Sequence, residues 1–159
     1  MMQKNKQIQK DWKEIEFLDC LEREASNKKI KLKGKEFLEN GKYPIIDQGE
    51  GFIAGYTDDK EKVYFGQLPV VVFGDHTRIF KFIDFFFALG ADGVKILVPK
   101  WNIDAKYLYY ALRKIYLPTA GYSRHYKFLK SKKIPLPFSN GKPDIKEQER
   151  IVKILEKAE

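Results

Sequence analysis

The segment between residues 43 and 98 restricts the fold more than any other part of the chain. It holds six short apolar runs rich in Val, Ile, Tyr and Phe, at residues 43–46, 51–56, 63–65, 69–73, 79–82 and 94–98. Turn signals stand between the runs: Asn40-Gly41, Gln48-Gly49, Asp58-Asp59, Gly74-Asp75 and Asp92-Gly93. Short β-branched and aromatic runs bounded by such residues are typical of strands. The segment therefore predicts a mixed or antiparallel sheet, and the run 69–73, apolar on both faces, predicts a central, covered strand.

Two amphipathic helices are predicted after the sheet. Asp104 can cap a helix that reaches about Leu117 and is ended by Pro118. Its apolar stripe consists of Leu108, Ala111, Leu112 and Ile115. Asp144, with Glu147 three residues later, has the pattern of a capping box for a second helix. The predicted fold class is therefore α+β, a mixed or antiparallel multi-stranded sheet with covering helices and a C-terminal helix.

The two ends and one basic run complete the predicted organisation. Residues 1–11 are expected to be a flexible lead-in, residues 12–140 the domain, and residues 144–159 the amphipathic helix. Residues 12–18 fit a short strand or a helix, and we interpret them as a strand. In residues 28–35 lysine alternates with other residues at the strand period, which predicts an edge strand that is either solvated or facing phosphates.

Charge and composition favour a polyanionic partner. The 159 residues carry a formal net charge of +8, and nucleic acid is the commonest polyanion that a basic domain binds. A single cysteine, Cys20, excludes a disulfide framework, and with two histidines it cannot complete a Cys/His zinc site. No apolar run approaches roughly 18 residues and no signal peptide is recognisable, so we expect a cytoplasmic protein without a membrane span.

Enzyme motifs are missing from the sequence. It contains no phosphate-binding loop, dinucleotide fingerprint, zinc-protease HExxH or nucleophile elbow. Ser123 and His125 lie two residues apart, but no acid that would orient the histidine can be identified. Asp75, Asp84 and Asp92 could meet to bind Mg²⁺ in a small nuclease, although solvated turn aspartates are the commoner arrangement.

Two segments instead indicate a binding surface. Residues 121–133 contain five basic side chains, three aromatic ones and no acid. Cations interleaved with planar rings suit phosphates together with bases or sugars. Residues 73–78, FGDHTR, form a turn after the apolar run and present donors suited to phosphates or guanine edges. A general RNA-binding module stays open as an alternative, because such a loop would also stack unpaired bases.

Taken in order, several segments resemble the DNA specificity subunit of type I restriction-modification systems. The segments are residues 43–46, 48–49, 53–56, 73–78, 87–97, 121–126, 134–137 and 147–152. In that family a subunit usually carries two target recognition domains separated by long helices, and each domain reads half of a bipartite DNA sequence. Methylation and cleavage belong to other subunits.

The resemblance implies sequence-specific binding of double-stranded DNA, with no catalytic residue and no cofactor in this chain. The implied partners are a methyltransferase (modification) subunit and a restriction subunit. The chain matches one recognition domain and the start of one spacer helix. It is therefore either a half-subunit whose copies form a homodimer through the C-terminal helix, or a chain that ends early.

The residues predicted to contact DNA fall into four groups. Arg78, Arg124, Lys127, Lys130 and the lysines of residues 28–35 are expected to contact phosphates, while Gln48, His76, Arg78, Ser123 and Arg124 are candidates for reading bases. Tyr56, Tyr122 and Tyr126 could pack on sugars or a thymine methyl, and Thr77 and His125 belong to the matched motifs.

Ile151, Val152 and Leu155 are predicted to form a subunit interface, with packing on the chain's own sheet as the alternative.

Overall fold

The computed structural model of the protein describes residues 7–23, 32–90, 93–121 and 124–159. Within these ranges the strands are β1 (Lys10–Glu16), β2 (Tyr43–Ile46), β3 (Gly55–Thr57), β4 (Val63–Tyr64), β5 (Val70–Gly74), β6 (Phe80–Ile83), β7 (Phe87–Leu89), β8 (Val94–Leu97), β9 (Lys133–Ser139) and β10 (Lys142–Pro143). The helices are α1 (Ala105–Arg113), the single turn α2 (Tyr126–Leu129) and α3 (Ile145–Lys157). The predicted α+β class is confirmed.

The first sheet joins the two ends of the described chain in the order β1-β9-β10. β1 runs antiparallel to β9 from Lys10 opposite Ser139 to Glu16 opposite Lys133. The strand interpretation of residues 12–18 is therefore correct as far as Glu16, whereas Phe17–Cys20 form a 3₁₀ helix. The strand begins at Lys10, inside the predicted lead-in, because backbone pairing needs no apolar side chain. β9 was not predicted, since it contains Pro135 and Pro137, which cannot donate to a ladder.

The second sheet has the order β3-β2-β7-β4, and its central pair, β2 and β7, is parallel. β7 is fully buried and was not predicted as a strand, because three apolar residues within a longer aromatic run carry no strand period. β3 begins at Gly55, so the first half of the predicted run 51–56 is irregular. The carboxyl ends of β2 and β7 meet at one edge of the sheet.

The third sheet is built around β5, which lies between antiparallel β6 and β8. Every residue of β5 is buried, which confirms the prediction of a central, covered strand. Val71 and Phe73 belong to the apolar cluster that contains α1 and α3, whereas Val70 and Val72 belong to a second cluster with β7 and β8. The alternating faces of β5 therefore connect two layers of the core.

The predicted helix caps are present. The Asp104 carboxylate accepts a hydrogen bond from the backbone N–H of Tyr107 at 2.8 Å, and that of Asp144 accepts from Glu147 at 3.1 Å. α1 ends at Arg113 rather than Leu117, because the N–H groups of Lys114 and Ile115 turn back to carbonyls three residues earlier.

α3 packs against the chain's own core, which is the alternative that the sequence left open beside a subunit interface. Val152 is 7% exposed, and Ile151 and Leu155 are half-buried against the same apolar cluster. The stripe that was predicted to pair with another chain is therefore covered within this one. An apolar stripe has the same sequence pattern whichever surface covers it, so periodicity could not make this distinction.

The basic run is also corrected in its described part. Leu32 is buried, its N–H donates to the carbonyl of Leu89, and residues Gly34–Glu36 form a 3₁₀ turn rather than a strand. Residues 28–31 lie outside the described part of the chain. Among the described residues, no helix has the length and apolarity needed to cross a bilayer.

Gln148 links α3 to the start of α1 through two side-chain hydrogen bonds. Its side chain is 0% exposed; Oε1 accepts from the N–H of Asp104 at 2.8 Å and Nε2 donates to the carbonyl of Asn102 at 3.2 Å. The residue satisfies two backbone groups at the point where the two helices meet.

Replacing Gln148 with Leu should lower the free energy of unfolding by about 2–3 kcal/mol, because two buried backbone groups lose their partners. Urea denaturation followed by circular dichroism measures this loss. The matched control is Glu149→Leu at the neighbouring exposed position, which should change stability by less than about 0.5 kcal/mol. Equal losses in the two variants would contradict the role assigned to Gln148.

Candidate nucleic-acid interface

The turn after β5, residues 74–79, has a closely defined backbone. The N–H of Arg78 donates to the carbonyl of Gly74 at 2.8 Å, and the N–H of Gly74 donates to the carbonyl of Ile79 at 2.9 Å. Gly74 is required because a Cβ there would collide with Oγ1 of Thr77. Arg78 adopts a φ of 64°, a left-handed conformation that is uncommon for a residue with a side chain. We refer to residues 74–79 as the recognition turn.

Asp75 connects the recognition turn to the loop that precedes α2. Its side chain is buried, and Oδ1 accepts from the backbone N–H of Tyr126 at 2.6 Å. Its carbonyl accepts from the N–H of His125 at 2.8 Å, and its own N–H donates to Gly93 at 2.9 Å. The guanidinium of Arg124 lies 4.0 Å from Oδ2. The two motifs, about fifty residues apart, are thus brought together by one carboxylate.

His125 is not available to contact DNA, which corrects its prediction as a binding residue. It is 1% exposed, with Nδ1 3.0 Å from the carbonyl of Asp75 and Nε2 accepting from the N–H of Ala120 at 3.2 Å. A neutral imidazole with its proton on Nδ1 satisfies both contacts. The histidine therefore fixes the loop that carries its neighbours.

Tyr126 is half-buried and contacts the core, and its packing on sugars stays a prediction. Its ring lies against Phe17 and Phe73, with centroid distances of 6.1 and 6.3 Å, and burial raises the pKa of its hydroxyl. The ammonium groups of Lys95 and Lys130 lie 5.5 and 5.6 Å from the ring centroid. The tyrosine supports a basic surface rather than forming it.

Three cations near α2 face solvent, as predicted. Arg124, Lys127 and Lys130 are exposed, and the ammonium of Lys127 lies 5.1 Å from the ring centroid of Phe128. Aromatic contact restricts these long side chains without removing their charge from solvent. Tyr122 and Ser123, two further predicted contacts, lie outside the described residues.

Gln48 and His76 meet at the edge where β2 and β5 end. Oε1 of Gln48 accepts from the backbone N–H of His76 at 2.8 Å. Gly93, at a φ of 81°, packs closely against both side chains. A Cβ there would lie 2.9 Å from Nε2 of Gln48 and 3.1 Å from Cδ2 of His76. Thr77 is exposed, and Arg78 is half-buried with Nη1 donating to the carbonyl of Leu117 at 2.8 Å. These four predicted residues therefore form one continuous surface.

Tyr56 does not belong to this surface. It lies on β3 opposite Pro44, at the amino end of β2, whereas Gln48 follows the carboxyl end of the same strand. The prediction that placed Tyr56 with the other contacts came from its presence in a matched segment, which does not specify distance.

Lys81 is a residue that the sequence reasoning missed. It is 5% exposed, and Nζ donates to the carbonyls of Asp47 and Gly51, both at 2.9 Å. Burial lowers the pKa of Lys81, and the nearby carboxylate of Asp47 opposes that shift. The lysine closes the loop that carries Gln48. A lysine at an inward position of strand β6 was the available signal.

The described residues give the nuclease alternative no metal site. Among them, no group of three or more His, Cys, Asp or Glu side chains is placed to hold an ion. Asp75 is engaged by backbone donors, Asp84 is exposed, and Asp92 lies outside the described part of the chain.

Comparison with protein families gives an extended match. Residues 9–159 match the profile of a family described as "Type I restriction modification DNA specificity domain". The specificity subunit of the Escherichia coli type I restriction enzyme EcoR124I/EcoR124II is 29% identical over 136 residues, covering 81% of this chain and 34% of that protein. The specificity subunit S.BcgI of a Heyndrickxia coagulans type II restriction enzyme is 35% identical over 98 residues, covering 59% of this chain and 28% of that protein.

Solved structures agree at the level of fold. The type I restriction-modification S subunit from M. genitalium superposes with a TM-score of 0.64 at 20% identity, covering 98% of this chain and 40% of that one. The HsdS subunit from Thermoanaerobacter tengcongensis gives a TM-score of 0.52 at 16% identity, with coverages of 92% and 37%. The chain spans about a third of the curated relatives that it matches.

Replacing Asp75 with Ala should lower the free energy of unfolding by about 2–3 kcal/mol, because the buried N–H of Tyr126 loses a charged acceptor. Asp75→Asn should lose less, since its amide oxygen can still accept that bond. Asp84→Ala, at an exposed position, is the control and should change stability by less than about 0.5 kcal/mol. Urea denaturation measures all three, and a loss no larger for Asp75→Ala than for the control would contradict the assignment.

Proposed function

The chain belongs to the family of type I restriction-modification DNA specificity domains, and from this premise we propose that it is a target-recognition unit that binds double-stranded DNA sequence-specifically. One observation supports the proposal most directly. The Asp75 carboxylate holds the recognition turn against the loop before α2, so that polar side chains and exposed cations share one surface. Such a surface combines positioning on phosphates with reading of base edges.

The cations would position the domain on the duplex. Arg124, Lys127 and Lys130 are exposed, and the chain carries a formal net charge of +8. Each phosphate contact releases condensed counterions, so binding should weaken steeply as salt rises. These contacts supply affinity and orientation but no sequence information.

The reading of bases would fall to the recognition turn and to Gln48. Glutamine can pair with adenine, arginine with guanine, and a threonine methyl can contact that of thymine. Gln48, His76, Thr77 and Arg78 lie on backbone that the two hydrogen bonds of Lys81 and the close packing at Gly74 and Gly93 hold in place. A rigid support favours discrimination, since a mismatched base then cannot be accommodated by a shift of the turn.

The partners would be the methyltransferase and restriction subunits of the same system, working with the chain in the cytoplasm. We expect the chain itself neither to methylate nor to cleave DNA. Two recognition units joined to each other would bind one DNA roughly 10² to 10⁴ times more tightly than a single unit, because the second unit is held at a high effective concentration. Pairing of two copies would use residues of α3 that its own core leaves exposed, such as Ile154 at 53% exposure.

Selection from random duplexes tests the proposal directly. The chain and the modification subunit are incubated with the pool at moderate salt, and the bound fraction is sequenced. Two short enriched blocks at a fixed spacing are the expected result. The proposal would be contradicted if no sequence were enriched and if single-stranded RNA displaced the bound duplex more readily than competing duplex DNA does. That result would favour an RNA-binding module.

Two substitutions should separate positioning from reading. His76→Ala should reduce the preference for the selected duplex over a scrambled one by about tenfold, because a single good base contact accounts for roughly 1–3 kcal/mol. Lys127→Ala should weaken binding to both duplexes alike and reduce the salt slope by about 0.9. Fluorescence anisotropy over a salt series measures both quantities, and the reverse pattern would exchange the roles assigned to the two residues.

A further inference from the structure

A cleft beside the recognition turn has no role in the surface described so far. It lies between residues 77–80 and the carboxyl end of α1, has a volume of about 510 Å³ and is open to solvent. One wall is the recognition turn itself, through Thr77 and Arg78. The opposite wall is formed by Tyr109, Arg113 and Tyr116. The cleft therefore continues the proposed DNA surface onto a second element.

The charge of the cleft is positive. Arg78 and Arg113 contribute guanidinium groups from opposite walls, and none of the described residues that line the cleft is acidic. Arg113 forms an ion pair with Glu159 at 3.3 Å, and the two side chains are 49% and 56% exposed. Exposed pairs of this kind are weak and exchange readily for another anion. The carbonyls of Ala111 and Leu112 at the helix end already accept hydrogen bonds from Lys114 and Ile115.

The aromatic side chains of the cleft suit a sugar-phosphate chain. The guanidinium of Arg113 lies 5.2 Å from the ring centroid of Tyr109, and this contact restricts the long arginine side chain at the cleft wall. Tyr116 is 79% exposed, and its ring is available for contact with a deoxyribose. A small ligand is normally enclosed by its pocket, whereas this cleft is open along its length, as a continuous polymer requires.

We propose that this cleft binds the phosphodiester backbone of the DNA duplex beside the bases read by the recognition turn. The inference rests on the proposed function and extends it to residues that no matched motif contains. Arg78 is the junction between the two surfaces, because its Nη1 is fixed to the carbonyl of Leu117 while its remaining donors lie at the cleft wall. Arg113 is then a phosphate-binding residue and Tyr116 a sugar-packing residue.

The neighbouring residues Arg113 and Lys114 provide a matched test. Both are exposed cations at the end of α1, and both line a second depression beside Leu155 of α3, but only Arg113 also lines the cleft. Removing either side chain changes the net charge by one unit. Only the removal of Arg113 removes a cation from the cleft.

The experiment measures anisotropy of a labelled duplex bound to the full chain over a salt series, after thermal melting has confirmed that each variant folds. Arg113→Ala should reduce the slope of log affinity against log salt by about 0.9, whereas Lys114→Ala should keep the slope of the unsubstituted chain. Arg113→Lys should restore the slope because it keeps the charge. Tyr116→Ala should weaken binding without changing the slope.

Equal slopes for Arg113→Ala and Lys114→Ala would overturn the cleft proposal, as would undetectable duplex binding at the lowest salt. Preferential, Arg113-dependent binding of single-stranded RNA would also overturn it. The proposed function fails independently, when selection from random duplexes enriches no sequence. A motif enriched by the unsubstituted chain together with equal slopes would leave target recognition standing and remove the cleft from the interface.

Discussion

The buried carboxylate of Asp75 is the interaction on which the candidate interface depends. A charge that is 1% exposed is tolerated only when donors surround it, and here the N–H of Tyr126 at 2.6 Å and the guanidinium of Arg124 at 4.0 Å face it. The same residue's carbonyl fixes His125. This arrangement places the recognition turn and the basic loop next to each other, so that their side chains share a surface.

The sheets determine where this interaction can form. β2 and β7 run parallel, so the loops that follow them emerge at one edge, and β5 delivers the recognition turn to the same place. Lys81 then holds the loop of Gln48 through a hydrogen bond to the carbonyl of Asp47, and Gly93 allows this loop to approach His76 closely. Burying a lysine costs free energy unless its ammonium is hydrogen-bonded. Here the ammonium of Lys81 donates to the carbonyls of Asp47 and Gly51, which stabilises the loop that carries Gln48. The base-reading candidates consequently lie on backbone that has little freedom.

The C-terminal helix connects this site to any larger assembly. Its apolar stripe is used within the chain, and Gln148 fixes its first turns to the start of α1. The orientation of α3 is therefore set by the recognition domain rather than by a partner. Arg113 lines the cleft and is paired with Glu159, which follows the end of α3, so the proposed phosphate site adjoins the carboxyl end of that helix.

The sequence by itself determined the types of several elements, because local signals specify them. The central strand β5 and the helix caps Asp104 and Asp144 are where they were predicted. The cations near α2 are exposed. The sequence did not reveal β7 or β9, whose short length and prolines hide the strand period, nor the inward role of Lys81. Only the tertiary structure decided that His125 is buried, that Tyr126 is half-buried, that Tyr56 pairs with Pro44 of β2, and that Ile151, Val152 and Leu155 pack within the chain. The reason is physical: propensity, capping and periodicity act over a few neighbouring residues, whereas burial and contact are set by pairings between residues far apart in the chain.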